Sequence, residues 1–203
     1  MNTKKPNKPP MRPVAITLVP SGLTSPPGQL GTPTIAQVHR RVTDRLAKAK
    51  VYLAAGVLEV SLVEHQGGRY PPAWAWHLHG VAMTRNPEVL KRRLAKAFPR
   101  SDTVPRPVHV TSWDGDPTWL RYCHNLDRRC RVGVDDQAHF DVRKQQPRTS
   151  RGTASRKLNS NEFLELLLFH DRISLDSRII TKRAQLRSSS TGCRIVKMRR
   201  PKR

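Results

Sequence analysis

Two histidines separated by a single residue are the feature of this chain best suited to chemistry. His77 and His79 lie in residues 73–84, AWAWHLHGVAMT, a segment whose apolar and aromatic residues predict a β-strand. Alternate residues of a strand point to the same face, so the two imidazoles would lie side by side, roughly 6–7 Å apart at their Cα atoms. That spacing allows both rings to bind one divalent metal, without choosing among metals. The alternative is a pair of histidines on a solvated strand face.

The elements that must position these histidines follow from apolar patterns, capping residues and turns. β-branched, apolar runs predict strands, and Thr34, Asn86 and Asp116 are the predicted N-caps of three helices. The order β-α-β-β-α-β-α over about residues 13–130 predicts an α+β fold, with a largely antiparallel sheet and helices on one face. The predicted strands are residues 14–19, 52–65, 73–84 and 107–113, and the predicted helices are residues 34–50, 87–98 and 117–129.

The chain is expected to divide into one folded domain and a helical appendage, joined and flanked by basic segments. The amphipathic segment 161–186 predicts one long or two short helices. They would form either a helix-turn-helix that binds duplex DNA or an appendage packed on the sheet. The side chains available for such packing are Phe163, Leu166, Leu167 and Ile179. The predicted boundaries are a disordered tail at 1–12, the domain at 13–136, a linker at 137–158, the appendage at 159–187 and a basic tail at 188–203.

The charge of the chain indicates a polyanionic partner. Lys and Arg number 38 against 15 Asp and Glu, which gives a formal net charge of +23. Such an excess repels itself in a compact protein, and neutralising phosphates releases counterions, so nucleic acid is the first candidate. The alternative is a basic protein bound to a ribosome or an anionic membrane without chemistry of its own.

Several features together resemble the HUH endonuclease superfamily, particularly the replication initiators of rolling-circle plasmids and phages. The hallmark of that family is His-hydrophobic-His on the central strand of an antiparallel sheet, here His77-Leu78-His79 after the hairpin strand GVLEVSLVEH. Tyr122, in DPTWLRYCHNL, follows His79 by 43 residues, on the helix where the family carries its nucleophile. The resemblance covers roughly residues 13–130.

The resemblance implies a divalent metal, Mg or Mn, held by His77, His79 and a third ligand. Glu59 is the best candidate for that ligand, because a carboxylate within the strand segment LEVSL is costly to bury unless it meets a metal or a cation. Glu64 and His65, at the end of the same strand, are the alternatives. Each of the three would otherwise be a solvent-facing residue.

The resemblance also implies that Tyr122 attacks a DNA phosphodiester and forms a 5′-phosphotyrosine with a free 3′-OH. The chain has two other tyrosines, Tyr52 at a helix-to-strand junction and Tyr70 in the hairpin turn, and neither lies on the expected helix. The alternative for Tyr122 is packing beside Trp119, three residues earlier on the helix.

The sequence departs from the family's pattern after the tyrosine. Replication initiators often carry a lysine three or four residues further on, and here those positions are Asn125 and Leu126. The cations left for this electrostatic task are Arg121, Arg128 and Arg129; the alternatives are a degenerate enzyme or another nucleophile. Lys91 and Arg92 are further predicted DNA contacts, and each cluster alone could equally be a solvated face.

The resemblance thus implies a replication initiator that nicks and rejoins single-stranded or hairpin origin DNA. A relaxase or single-strand transposase would share this chemistry, and a non-catalytic repressor or ribosome-associated protein is the alternative from another class. The chain has no GxxxxGK[ST] motif, so a host helicase is an expected partner. It has no apolar run of about 18 residues and only three cysteines without a CxxC pair, so no membrane span and a reducing, cytoplasmic location are expected.

Overall fold

The computed structural model describes residues 9–116, 128–141, 146–189 and 192–197. These residues form an α+β fold, which confirms the predicted class. The strands are β1 (Arg12–Leu18), β2 (Thr24–Ser25), β3 (Ala54–His65), β4 (Ala73–Thr84), β5 (Val108–Ser112), β6 (Arg129–Asp141), β7 (Gln146–Lys157), β8 (Ile179–Lys182), β9 (Ala184–Ser189) and β10 (Gly192–Lys197). The helices are α1 (Ile35–Lys48), α2 (Pro87–Ala97), α3 (Ser160–Arg172) and α4 (Leu175–Arg178).

The predicted strands and helices up to residue 113 each have a counterpart in the structure. The four predicted strands correspond to β1, β3, β4 and β5, and the first two helices correspond to α1 and α2. Thr34 caps α1 in a capping box with Gln37, as its sequence position predicts. The Asn86 side chain accepts hydrogen bonds from the backbone N–H groups of Glu88 and Val89 at the start of α2. The third predicted helix, 117–129, lies outside the described residues up to 127, and Arg129 begins β6.

The main sheet has β4 near its centre. The strands run β5-β1-β4-β3-β6-β7, and β4 pairs antiparallel with both β1 and β3. The order β5-β1-β4-β3, with α1 and α2 as connections, is the arrangement of a split β-α-β fold. The β3–β6 pair is parallel, so the sheet is mixed rather than purely antiparallel. The short strands β2 and β8 add to β4 and β3, and β9 pairs with β10 in a separate hairpin.

One face of this sheet is covered by α1, α2 and α3. Even-numbered residues of the central strands point to this face, as the two-residue period of a strand requires, and they pack against the apolar faces of the helices. Trp74 and Trp76 are both fully buried here. The core side chains include Ile16, Leu18, Leu58, Leu62, Leu78, Val38, Val42, Leu46, Leu90, Leu94, Leu166 and Phe169.

The C-terminal half differs from its prediction. Residues 146–157 form β7 and pair with β6, where the polar sequence predicted a linker over 137–158. The segment 161–186 forms α3 and the four-residue α4, and then turns into β8 and β9, so it is not a helix-turn-helix. The helix α3 packs on the sheet through Leu166 and Phe169, whereas Leu167 and Ile179 are exposed. Among the described residues, no helix is long and apolar enough to span a bilayer.

Arg156 connects β7 to both β3 and α3. Its guanidinium donates hydrogen bonds to the carboxylates of Glu64, at 2.7 and 2.6 Å, and Glu162, at 2.8 Å each. Glu162 also closes the capping box of α3 with Asn159. These hydrogen bonds from Arg156 are the main reason that the pKa values of Glu64 and Glu162 are lowered. The ion triad therefore fixes the β6–β7 hairpin against the sheet.

We predict that Arg156→Gln destabilises the protein in a pH-dependent way. The free energy of unfolding at neutral pH should fall by about 2 kcal/mol, a modest value because the Arg156 side chain is 35% exposed. Carboxylates with lowered pKa values stabilise the folded state above their unfolded pKa of about 4.3, and this contribution is lost as the pH falls through the folded values. Urea unfolding of the wild-type protein and the variant at pH 7 and at about pH 3 should show that the difference in their unfolding free energies becomes smaller in acid. Arg92→Gln is the matched control, and equal losses at both pH values would contradict the prediction.

Candidate functional site

The register of β3 against β4 brings the predicted ligands to one face of the sheet. Glu59 lies directly opposite His77, and Val57 lies opposite His79. Paired residues of neighbouring strands share a face, so Glu59, His77 and His79 all point away from the helical layer. Thr17 of β1 lies opposite His79 on the other side of β4. The His face, defined by these odd-numbered residues of β1, β3 and β4, is therefore the face opposite to the helices.

Two glycines allow β3 and β4 to approach closely beside His79. Gly56 and Gly80 are direct partners in the ladder. A Cβ atom on Gly56 would lie 2.4 Å from the backbone oxygen of His79, and one on Gly80 would lie 2.7 Å from the backbone oxygen of Ala55. Side chains at either position would push the strands apart, so the glycines help to hold the backbone that carries His79.

His77 is held by a hydrogen bond to a serine that the sequence analysis did not single out. The Nε2 atom of His77 lies 2.8 Å from Oγ of Ser61. The residue is 4% exposed, and its Nδ1 atom is buried without a hydrogen-bond partner in the part of the chain that the structure describes. An orphaned buried imidazole nitrogen is costly, and such atoms occur where a ligand or ion completes the site. The sequence signal for Ser61 was its position two residues from Glu59 on the same strand face.

His79 contacts both a hydroxyl and the candidate carboxylate. Its Nδ1 lies 3.1 Å from Oγ1 of Thr17, and its Nε2 lies 3.4 Å from Oε2 of Glu59. The His77 and His79 rings are parallel, with centroids 5.9 Å apart. The carboxylate of Glu59 therefore contacts His79, beside the parallel ring of His77, and a hydroxyl side chain contacts each ring.

Both imidazoles are uncharged at neutral pH. Burial lowers the pKa of His77 well below its ordinary value of 6.5, with smaller contributions from the charges of Arg131 and His79. Burial, followed by the charge of Arg131, lowers the pKa of His79 to about 4. Neutral imidazole is the form that binds metal ions, so the environment keeps the pair in a ligating state. Since His79 is neutral, its contact with Glu59 is not an ion pair at pH 7.

The two alternative third ligands, Glu64 and His65, make contacts with residues other than His77 and His79. Glu64 is engaged by Arg156 in the ion triad, on the helical side of the sheet. His65 accepts a hydrogen bond from the backbone N–H of Gly67 and packs edge-on against Tyr70. Of the three candidates, Glu59 is therefore the one that the structure brings next to His79.

The remaining predicted residues that the structure describes lie away from His77 and His79. Tyr122 and Arg121 lie outside the described residues. The guanidinium of Arg128 packs over the ring of Phe163, and Arg129 is an exposed residue of β6. Lys91 and Arg92 are exposed on α2, in the layer on the other side of the sheet from His77 and His79. These two cations can bind phosphates only at a separate surface.

A divalent metal fits the chemistry of the donors on the His face. Among the described residues, no three His, Cys, Asp or Glu side chains converge as closely as a formed metal site requires. The donor types nevertheless suit such an ion, because they comprise two neutral imidazoles and a carboxylate, one imidazole having a buried nitrogen without a partner. A hard cation such as Mg or Mn would favour the carboxylate oxygen of Glu59 over the imidazole nitrogens.

Comparisons with models of protein families, with curated proteins and with solved structures found no match to this chain.

We predict that His79 of the metal-free protein takes up a proton only near pH 4. The unfolded chain binds this proton at about pH 6.5, so it carries more protons than the folded state between the two values, and stability must fall as the pH drops through this window. The ring resonances of His79, followed by NMR in the presence of a chelator, should show a midpoint near 4. A midpoint near the ordinary value of 6.5 would show that the imidazole is not desolvated as described.

Proposed function

We propose that this protein is a metal-dependent, single-tyrosine DNA endonuclease and strand transferase that initiates rolling-circle replication. The observation that carries the proposal is the placement of His77 and His79 on one face of a central strand, with Glu59 next to His79. The net charge of +23 supports a nucleic-acid substrate. The proposed substrate is a single-stranded or extruded hairpin origin, opened by a host helicase or by supercoiling.

His77, His79 and Glu59 are the proposed ligands of a Mg or Mn ion. When bound, such an ion stabilises negative charge on a non-bridging phosphate oxygen and orients the phosphate. Thr17 and Ser61 hold the two imidazoles in place through their hydroxyls. Burial keeps both rings neutral, so they bind the ion without first losing a proton.

Tyr122 is the proposed nucleophile, on the strength of its sequence position. Its hydroxyl loses a proton, its oxygen forms a bond to phosphorus, and the bond from phosphorus to the 3′ oxygen breaks. The 3′ oxygen takes up a proton and becomes a free 3′-OH, while the 5′ phosphate remains on the tyrosine. Reversal of the same displacement by another 3′-OH rejoins the strand, so the covalent link conserves the bond.

The proposal predicts a covalent protein–DNA adduct that requires both halves of the site. The full chain is incubated with manganese and a library of synthetic DNA hairpins with a randomised loop, and adducts are separated on a denaturing gel and sequenced. The wild-type protein should form an adduct, and Tyr122→Phe, His77→Ala and His79→Ala should each reduce it by about a hundredfold or more.

Matched controls separate chemistry from folding. Tyr52→Phe changes a tyrosine whose residue is 42% exposed, and His39→Ala changes a histidine of α1, so both should leave the adduct intact. Tight binding of the hairpins without any adduct would instead favour a non-catalytic DNA-binding protein.

A further inference from the structure

Arg131 reaches the His face through a strand that the sequence did not predict. The strand β6 joins β3 in parallel at residues 63–65, and Arg131 lies directly opposite Val63. Val63 is on the same face as Ser61 and Glu59, because alternate residues of β3 share a face. The ladder therefore directs Arg131 to the face that carries His77 and His79.

The charge of Arg131 acts on the candidate ligands. Its positive charge lies within electrostatic reach of both His77 and His79. A cation on this face is placed to attract an anion that approaches it. The strand pairing and this electrostatic effect therefore both place Arg131 on the His face.

Arg131 also differs from Arg156 and Arg178 in its contacts with carboxylates. The residue is exposed, and within the described ranges its guanidinium forms no ion pair. Arg156, in contrast, is occupied by Glu64 and Glu162. Arg178 is half-buried and attracted by Glu59. Among these cations near β3, Arg131 is the one that no carboxylate of the described residues engages.

The side chain of Tyr70 approaches β6 two residues from Arg131, on the same face. Gly133, two residues further along β6, leaves room for Tyr70, since a Cβ atom at Gly133 would lie 2.8 Å from the Tyr70 hydroxyl. Tyr70 is half-buried and packs against the apolar cluster that includes Val63. An arginine next to an aromatic side chain is a common arrangement for single-stranded nucleic acid, whose phosphates bind the cation and whose bases stack.

We propose that Arg131 is a phosphate-binding residue for a DNA single strand that lies along the exposed part of the His face at β6. It binds a backbone phosphate through the planar guanidinium fork that matches phosphate oxygens. The identity of the strand as a nicking substrate rests on the proposed function, whereas the binding of the strand does not.

The test is the binding of a labelled, single-stranded thymidine oligonucleotide to the full chain, in a chelator and over a range of salt concentrations. Arg131→Gln should weaken binding about tenfold at low salt and reduce the slope of log affinity against log salt by about 0.7, the value for one lost phosphate contact. Arg131→Lys should keep the salt slope. Arg92→Gln, which removes the same charge from α2 on the other side of the sheet, should leave binding to a short strand unchanged.

The outcomes separate this inference from the proposed function. An unchanged affinity and salt slope in Arg131→Gln would overturn it, as would an equal loss in Arg92→Gln. A lowered melting temperature that accounts for the loss would assign Arg131 a merely structural role and overturn it as well. If the wild-type protein forms no covalent adduct but Arg131→Gln still loses a phosphate contact, the nicking proposal fails and the strand-binding residue stands. If adducts form and Arg131→Gln binds normally, only the inference about Arg131 fails.

Discussion

The pairing register of β3 and β4 is the constraint on which the candidate site depends. It sets Glu59 opposite His77 and keeps His77, His79 and Glu59 on one face, while Trp74 and Trp76 of the same strand are buried under the helices. Because side chains alternate, a slip of one residue would exchange the two faces of a strand. The fully buried tryptophans make such a slip very costly, so the packing of one face fixes the chemistry of the other.

Burial gives the histidine pair its particular chemistry. His77 and His79 are 4% and 8% exposed, and this burial keeps their rings neutral. Ser61 and Thr17 orient the rings through their hydroxyls. Neutral rings with fixed orientation are suited to binding a cation, and a positive charge from Arg131 nearby is suited to binding an anion. A phosphate and a divalent ion together satisfy both requirements.

The sequence predicted those helices and strands that are marked by residues close together in the chain, such as N-caps and alternating side chains. The capping residues Thr34 and Asn86 marked the starts of α1 and α2, and the two-residue spacing of the histidines predicted their common face. The strand β7 was missed because its polar, arginine-rich sequence lacks an apolar alternation, whereas β6 has a short one at Cys130, Val132 and Val134 that was not used. Both strands are held by pairing with each other, by the pairing of β6 with β3, and by Arg156. Arg131 could not be found from sequence, since only the parallel pairing of β6 brings it to the His face.

The central claim is that His77 and His79 are ligands of one divalent ion. Manganese is paramagnetic and broadens the NMR signals of the groups that bind it, so a titration of the full chain with Mn, followed on the histidine ring resonances, tests the claim directly. The signals of His77 and His79 should broaden first and together, and Glu59→Gln should shift this broadening to higher Mn concentrations. If these two signals persist while those of other histidines broaden, the ion binds elsewhere and the site as described is wrong.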